Sequence, residues 1–247
     1  MNDWLIPDWP APAGIKSCVT TRNGGVSLAP FDSFNLGDHV DDDPEAVAAN
    51  RLRLTSQLGI QAAWLKQVHG VGVAEADPTQ VAEADASWTA TPGIACTIMT
   101  ADCLPALFCD RAGTRVAAAH AGWRGLAAGV LEAAADSLQV APDQILVWLG
   151  PAIGQKSFEV GAEVREAFIS THPQTDAAFI PSKNSGRFMA DIYALARLRL
   201  AAHGITAVYG GGFDTVTDPR FYSYRQSARN GRFASLIWIE SESAQDL

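Results

Sequence analysis

A series of short apolar runs, each bounded by Gly, Pro or Asp, is the feature that most constrains the fold of this chain. Runs this short, with sharp polar boundaries, are typical of β-strands rather than of helices. They predict strands at 15–21, 63–68, 71–76, 94–99, 105–109, 115–120, 145–149, 205–209 and 233–240. The chain is therefore expected to contain much sheet, with helices between some of its strands.

Helical patterns stand between several of these runs. An Asp before a Pro is a helix-start signal, so Asp43-Pro44 predicts a helix from residue 44 to about Leu58, ended by Gly59. Further helices are predicted at 123–139, 161–171 and 187–203. Since no internal repeat or linker composition appears, residues 1–247 are predicted to form one α/β-type domain of mixed connectivity. Residues 241–247 are predicted to be a frayed tail.

Arg51 is the unusual residue of the first predicted helix. It fills a gap in the apolar stripe of Val47, Leu54 and Leu58. An unpaired buried charge is too costly, so a guanidinium at this position must be paired or line a pocket. Alternatively, Arg51 reaches solvent from the edge of the helix.

Charge and cysteine content limit the class of function. The 247 residues include 18 Lys plus Arg against 27 Asp plus Glu, a net charge of −9. Such a surface repels phosphate backbones and anionic lipid, so neither a nucleic acid nor a membrane is an expected partner. The N-terminus has no signal-peptide pattern, and four cysteines make no disulfide framework, which predicts reduced thiols and a cytoplasmic location. A small anionic substrate remains compatible with this charge.

Three residues with metal-binding side chains stand at predicted strand boundaries. His69 ends WLKQVHG, Cys103 lies in TADCLP just before a strand, and His120 ends RVAAAH. Proteins with α/β folds build sites at such boundaries from residues far apart in sequence. Two imidazoles and a thiolate suit Zn²⁺, and three protein ligands leave a fourth position for water or substrate.

The same residues also fit two simpler interpretations. Each histidine could be a hydrogen-bonded structural residue, and Cys103 could be a small buried apolar residue like Cys96 and Cys109. A metal-free hydrolase is the other alternative, with Cys103 as nucleophile and His120 as base.

Four ordered motifs give the chain a family resemblance. KQVHG, MTADCLP, HAGWRG and LGPAIG resemble the YfiH-type family, once labelled laccase-like or multicopper polyphenol oxidoreductase. Matching stretches also include TTRNGGVS, FNLGDHV, FEVG, FYSYRQ and GRFASLIW. The resemblance covers the chain from about Pro7 to Ile239.

This resemblance implies a fold, a metal and an activity. The fold would be α+β, a layered α/β/β/α sandwich with mixed sheets. His69, Cys103 and His120 would bind a catalytic Zn²⁺, for which Cu²⁺ is a possible substitute. The implied activity is phosphorolysis of purine nucleosides, including S-methyl-5′-thioadenosine, to base and ribose 1-phosphate, together with adenosine deamination.

Further site residues are expected around these ligands. Asp102, next to Cys103, is the candidate proton relay; alternatively it caps a turn. A guanidinium fork matches phosphate oxygens, so the candidate phosphate partners are Arg51, Arg124 and Arg225. Asn35 in FNLG is the candidate contact to the nucleoside. The alternative for each of these four is a surface ion pair or a loop hydrogen bond.

Two positions depart from the family pattern. Asp214 in GGFDT stands where the family usually has Cys, so an extra carboxylate is expected near the site. Gln226 follows Arg225 where the family often has a second Arg, which predicts weaker phosphate binding.

Two rival functions use the same residues. One is hydrolytic editing of a peptidoglycan precursor, by attack on an amide. The other is weak copper-dependent oxidation of phenols. A full multicopper oxidase needs more imidazoles than the five present, which are His39, His69, His120, His172 and His203.

Overall fold

The computed structural model describes residues 3–241, and residues 242–247 of the predicted frayed tail lie outside it. The strands are β1 (Ile15–Val19), β2 (Gln61–Ala63), β3 (Leu65–Lys66), β4 (Val73–Glu75), β5 (Ala82–Glu83), β6 (Ala86–Thr89), β7 (Ile94–Thr100), β8 (Leu104–Asp110), β9 (Val116–Ala121), β10 (Ile145–Leu149), β11 (Glu159–Gly161), β12 (Phe179–Pro181), β13 (Arg187–Ala190), β14 (Val208–Gly210) and β15 (Phe233–Ile239). The helices are α1 (Pro44–Leu58), α2 (Trp123–Ala128), α3 (Val130–Asp136), α4 (Ala162–Ile169) and α5 (Ile192–Ala202).

Two mixed sheets form the centre of the molecule. A four-stranded sheet has the order β1-β15-β7-β2, and a six-stranded sheet has the order β14-β10-β8-β9-β6-β4. Most neighbours are antiparallel, but β2 pairs parallel with β7, β14 with β10, and β4 with β6. Small sheets of β11-β13-β12 and β3-β5 complete the set.

Apolar side chains hold these elements in layers. Ile98 of the four-stranded sheet and Leu107 of the six-stranded sheet belong to one buried cluster between the two sheets. Leu54 of α1 packs with Leu236 on the outer face of the four-stranded sheet. The other face of the six-stranded sheet is covered by α2 to α5, with Leu195 among the buried residues. The implied α/β/β/α sandwich with mixed sheets is confirmed.

The first helix begins and ends as its sequence predicts. Asp43 is the N-cap, and its carboxylate accepts a hydrogen bond from the Glu45 N–H at 3.0 Å. Gly59 ends the helix with φ of +64°, a conformation that costs glycine little.

Two predicted helices differ from the structure. The segment 123–139 is two short helices, because Gly129 takes φ of +106° and ends α2 where α3 begins. In 187–203, residues 187–190 are strand β13, paired with β11 and β12, and only 192–202 are helical. Asp191 is the N-cap of α5, accepting from the Ala194 N–H at 2.9 Å.

The strand predictions are right in place but not always in length. The predicted strand 63–68 contains the last residue of β2 and all of β3, with loop at 64 and 67–68, and the predicted strand 205–209 begins only at Val208. Strands β5, β6, β11 and β12 were not predicted, because each is only two to four residues long. No helix within residues 3–241 is long and apolar enough to cross a membrane.

Candidate metal centre

The fold brings the three predicted ligands together. Ligand atoms of His69, Cys103 and His120 all lie within 4.8 Å of one another. The Cys103 Sγ is 3.9 Å from the His69 Nε2, and the two imidazole rings meet edge to face with centroids 4.7 Å apart. His69 is exposed, Cys103 is partly exposed and His120 is buried, so the group opens to solvent on the His69 side.

Strand pairing explains how distant residues meet. His120 lies in β9, opposite Pro105 of β8, so Cys103, the residue directly before β8, reaches the same end of the sheet. His69 comes from the loop between β3 and β4, where it takes φ of +61°. Gln67 holds this loop through two hydrogen bonds to the Met99 backbone, at 2.8 and 2.9 Å.

Glycine allows the ligands to approach the backbone after β9. A Cβ on Gly122 would lie 2.7 Å from the His69 Cδ2 and 3.2 Å from the Cys103 Sγ. A Cβ on Gly125 would lie 2.8 Å from the Gly70 carbonyl oxygen. The glycines of HAGWRG therefore make room for the two ligands that come from other elements.

Asp85 supports two of the ligands and was missed from the sequence. It is fully buried, and its Oδ1 accepts a hydrogen bond from the His120 Nδ1 at 2.8 Å. Its carboxylate also accepts from the backbone N–H groups of Val68, His69 and Gly70. Burial by itself would raise the pKa of Asp85, but these hydrogen bonds and the charge on His120 hold it below its usual value.

The charges of Cys103 and His120 stabilise each other. Burial would raise the pKa of the Cys103 thiol, but the neighbouring His120 charge and the hydrogen bonds from both imidazoles lower it below its ordinary value. Burial would lower the pKa of His120, but the Cys103 thiolate and Asp85 raise it. The metal-free protein therefore favours a thiolate–imidazolium pair. By contrast, burial raises the pKa of Cys18, Cys96 and Cys109 to about 12.

This donor set fits a zinc ion. Two imidazoles and one thiolate match the ligands that Zn²⁺ takes in catalytic sites. A hydrogen bond from the other ring nitrogen to a carboxylate, as in His120, is the usual support of a metal-binding histidine. Among residues 3–241, this is the one group of three or more His, Cys, Asp or Glu side chains placed to hold a metal.

A cavity of about 500 Å³ opens beside the three ligands, a size suited to a small organic molecule. Apolar and polar side chains share its wall. The residues around the ligands are His39, Gln67, Met99, Ala101, Asp102, Trp123, Arg124, Ile153, Phe158, Ile192, Tyr224, Arg225 and Arg232.

Two of the three predicted phosphate partners line this cavity. Arg124 is exposed, and its guanidinium lies over the Trp123 ring at 4.3 Å with no hydrogen bond to any residue from 3 to 241. Arg225 lines the wall and donates from Nη1 to the Glu159 carbonyl oxygen at 3.2 Å.

Arg51 does not line the cavity, so its prediction as a phosphate partner needs correction. It donates to the Leu36 carbonyl at 2.9 Å, pairs with Asp38 at 3.3 Å and lies 4.1 Å from the centroid of the Trp64 ring. The guanidinium in the apolar stripe of α1 is therefore paired, not free for a ligand.

Asn35 and Asp102 are engaged by neighbouring loops. The Asn35 side chain is buried outside the cavity, where it bonds Gly37 and Asp42 and accepts from the Arg232 N–H at 2.8 Å. In this position the Asn35 side chain does not reach a nucleoside bound in the cavity. Asp102 does line the cavity, but Thr215 and the Arg225 N–H occupy its two carboxylate oxygens, each at 2.6 Å. These partners lie 113 and 123 positions along the chain, so Asp102 holds distant loops together rather than capping a local turn, and its role as a proton relay stays a prediction.

Arg232 is a cavity cation that the sequence did not single out. Its Nη1 donates to Asn230 and to the Gly231 carbonyl, whereas Nε and Nη2 have no partner among the residues that the structure describes. In the sequence, Arg232 is marked only by its place in GRFASLIW, a motif that indicates the family but gives no role to this arginine.

The two departures from the family pattern lie outside the cavity wall. Asp214 accepts hydrogen bonds from the Gly154 N–H and the Ser157 hydroxyl, which fixes a loop rather than adding a carboxylate to the site. Gln226 donates to the Val216 carbonyl oxygen and does not line the cavity.

Comparison with known proteins agrees with this architecture. A family model described as multi-copper polyphenol oxidoreductase laccase matches residues 16–240. A Pseudomonas aeruginosa protein named purine nucleoside phosphorylase is 70% identical over 241 residues, covering 97% of this chain and 100% of the relative. Purine nucleoside phosphorylase YfiH of Escherichia coli is 51% identical over 244 residues, covering 97% and 100%.

A solved structure gives the same result for the fold. The crystal structure of a Neisseria meningitidis protein matches with a TM-score of 0.94 at 50% identity, covering 97% of this chain and 100% of that one. The chain therefore belongs to the multi-copper polyphenol oxidoreductase laccase family, the YfiH-type family that its motifs indicate.

Proposed function

We propose that this chain is a zinc-dependent purine nucleoside phosphorylase with accompanying adenosine deaminase activity, and that residues 1–247 form one cytoplasmic catalytic domain. Its substrates would be adenosine, inosine, guanosine and S-methyl-5′-thioadenosine. The observation that carries the proposal is the His69, Cys103 and His120 group in the wall of a cavity that also holds three arginines. The names of the two relatives above support the same reaction.

The cavity contains what phosphorolysis requires. The C1′–N bond of the nucleoside breaks, a bond from C1′ to a phosphate oxygen forms, and the base leaves with the electron pair and gains the proton that hydrogen phosphate gives up. Arg124, Arg225 and Arg232 offer guanidinium groups to hold the phosphate. The aromatic rings of Phe158 and Tyr224 give the purine an apolar surface.

The three ligands would hold the metal at the edge of this cavity. A bound zinc ion supplies a Lewis acid there, and copper is a proposed substitute in the same N/S donor set. His120 is held by its hydrogen bond to Asp85, whereas His69 is exposed and lies on the side where the group opens to solvent.

Product analysis with and without phosphate tests this proposal. Adenosine incubated with the purified protein should give adenine and ribose 1-phosphate only when phosphate is present, and inosine from the deaminase activity in either case. His120→Ala should lose both bound zinc and base release. Full turnover in that variant, or adenine release without phosphate, would overturn the phosphorylase assignment.

A second candidate rests on the Cys103–His120–Asp85 arrangement. A thiolate beside an imidazolium that a carboxylate orients is the geometry of a nucleophilic amidase, and the proposed substrate is an amide of a peptidoglycan precursor. A metal on Cys103 and His120 would block this chemistry, so the two candidates exclude each other at one site. Release of an amino acid from a UDP-muramoyl amino acid by the zinc-free protein, without action on adenosine, would favour the amidase.

A further inference from the structure

Asp85 occupies an unusual position between the two histidine ligands. It lies in the connection between β5 and β6, outside the motifs that carry the resemblance, and its side chain is fully buried. A buried carboxylate is costly unless hydrogen bonds compensate for its lost hydration. The compensating hydrogen bonds of Asp85 come from two separate parts of the chain.

One set of hydrogen bonds fixes the loop that holds His69. The N–H groups of Val68, His69 and Gly70 donate to the Asp85 carboxylate at 3.2, 2.9 and 2.6 Å. Three successive N–H groups can converge on one carboxylate only when the loop is tightly curved, and His69 has φ of +61°. The carboxylate therefore stabilises the backbone conformation from which the His69 ring projects.

The other set fixes His120. The Nδ1 of its ring lies 2.8 Å from the Asp85 Oδ1, and its backbone N–H donates to the Asp85 carbonyl oxygen at 2.7 Å. A carboxylate can only accept at this position, so Nδ1 carries a hydrogen and Nε2 is the ring nitrogen left to bind a metal. Both the ring and the backbone of His120 are thus held by one residue.

We propose that Asp85 is the positioning residue of the metal centre. One carboxylate keeps a hydrogen on the His120 Nδ1 and sets the loop conformation of His69, so that both rings meet the Cys103 sulfur before any metal arrives. This inference rests on the metal binding in the proposed function.

Asp110 provides a matched control. It is also buried, and it accepts from the N–H groups of Thr114 and Arg115 at 2.7 and 3.0 Å and from the Thr114 hydroxyl at 2.6 Å. It lies at the far end of β8 from Cys103. Asp110 thus shares the burial and loop-holding bonds of Asp85 but contacts no metal ligand.

The test compares Asp85→Asn with Asp110→Asn. In the wild type, His69 and His120 donate to the Asp85 Oδ1, and Val68 and Gly70 donate to Oδ2. Asp85→Asn replaces one of these oxygens with an NH₂ group, which cannot accept a hydrogen bond from its two donors. We expect the zinc Kd to rise by about 10- to 100-fold, the usual effect of losing such a partner. Zinc alone is titrated into each metal-free protein against a chelating dye, and Asp110→Asn should bind zinc like the wild type.

A second measurement needs no variant and remains informative if Asp85→Asn does not fold. Nitrogen–proton NMR of the histidine rings in the wild-type protein should show His120 with hydrogen on Nδ1, and zinc at Nε2 when loaded. A His120 Nδ1 without hydrogen in the metal-free protein, or wild-type zinc affinity in folded Asp85→Asn, would overturn the role of Asp85 and leave the proposed function standing. No zinc binding by the wild-type protein would overturn both.

Discussion

Gly122 lies where the backbone leaves β9 directly beneath two of the ligands. Gly122→Ala would place a methyl group 2.7 Å from the His69 ring and 3.2 Å from the Cys103 sulfur. Overpacking of this kind costs about 1–3 kcal/mol, and here it would separate the ligands. We predict at least about tenfold weaker zinc binding, equivalent to about 1.4 kcal/mol, measured by competition with a chelating dye.

The control for this substitution is Gly14→Ala. A Cβ at Gly14 meets no atom within 4 Å, so zinc affinity should stay at the wild-type value. Wild-type affinity in Gly122→Ala would show that the ligands do not need this close approach.

Arg232 is the partly buried one of the three cavity arginines, and its guanidinium is anchored by Nη1, leaving Nε and Nη2 for a ligand. Hydrogen bonds to charged groups contribute about 1.5–3 kcal/mol, so we predict that Arg232→Gln raises the KM for phosphate by about 10- to 100-fold. Steady-state kinetics at varied phosphate measures this, with zinc content unchanged.

Arg229→Gln is the matched control for the phosphate experiment. Arg229 lies over the Phe31 ring at 5.5 Å and does not line the cavity, so its loss should leave the KM for phosphate unaltered. Equal effects of the two substitutions would mean that surface charge, not Arg232, attracts the phosphate.

The site residues that could be predicted from the sequence are those with metal-binding side chains at the ends of predicted strands. His69, Cys103 and His120 have side chains that bind metals, and their place beside strand boundaries was visible. Asp85 and Arg232 were missed because an acidic residue between short strands, or an arginine before a strand, has no local pattern of its own. Asp85 matters through contacts to residues 15 to 35 positions away, and Arg232 matters because the fold places it in the same cavity wall as Cys103.

At the scale of elements, the N-cap of α1 could be predicted from the sequence, because capping depends only on neighbouring residues. Asp43→Ala removes the acceptor for the Glu45 N–H, and such a loss typically lowers the free energy of unfolding by about 1 kcal/mol. Urea unfolding measures the change. Asp8→Ala, at an exposed position with no side-chain hydrogen bond among the described residues, should change it by less than about 0.5 kcal/mol. An equal loss in both variants would contradict the capping role.

Helix breaks were harder to predict than helix starts. Ala- and Leu-rich sequence around Gly129 suits a helix, and only the φ of +106° that the structure gives Gly129, which L side chains rarely adopt, shows why glycine is used there. The spacing of Phe188 and Ile192 suits a helix too, but pairing of 187–190 with β11 and β12 overrides it. Tertiary pairing is not visible in a local pattern.

At the scale of the whole molecule, the sheet order could not be predicted, since β7 pairs with β2 and β15, strands separated by most of the chain. The layered sandwich came from the family resemblance instead. Local sequence patterns predicted only a mixture of strands and helices, and the composition predicted an acidic surface.

Acid should destabilise the folded chain. Hydrogen bonding from His39 and the Arg51 charge lower the pKa of Asp38 to about 2 although burial opposes them, and the Arg220 hydrogen bond lowers the pKa of Asp218. Folded pKa values below the unfolded value of about 3.9 contribute stability above that pH, which is lost as pH falls toward 2. Urea unfolding of the metal-free protein between pH 6 and pH 2 should show this loss. Asp38→Asn should lose less stability between pH 6 and pH 2 than the wild type. An unchanged pH profile in this variant would contradict the role of the Asp38 carboxylate.

Zinc titration of the metal-free enzyme tests the central claim most directly. Phosphorolysis of adenosine is measured as zinc is added in steps, with metal content determined on the same samples. We predict that adenine release rises linearly and stops rising at one zinc per chain, and that Cys103→Ser and His120→Ala stay inactive throughout. Full phosphate-dependent release from the metal-free protein would contradict a catalytic metal at His69, Cys103 and His120.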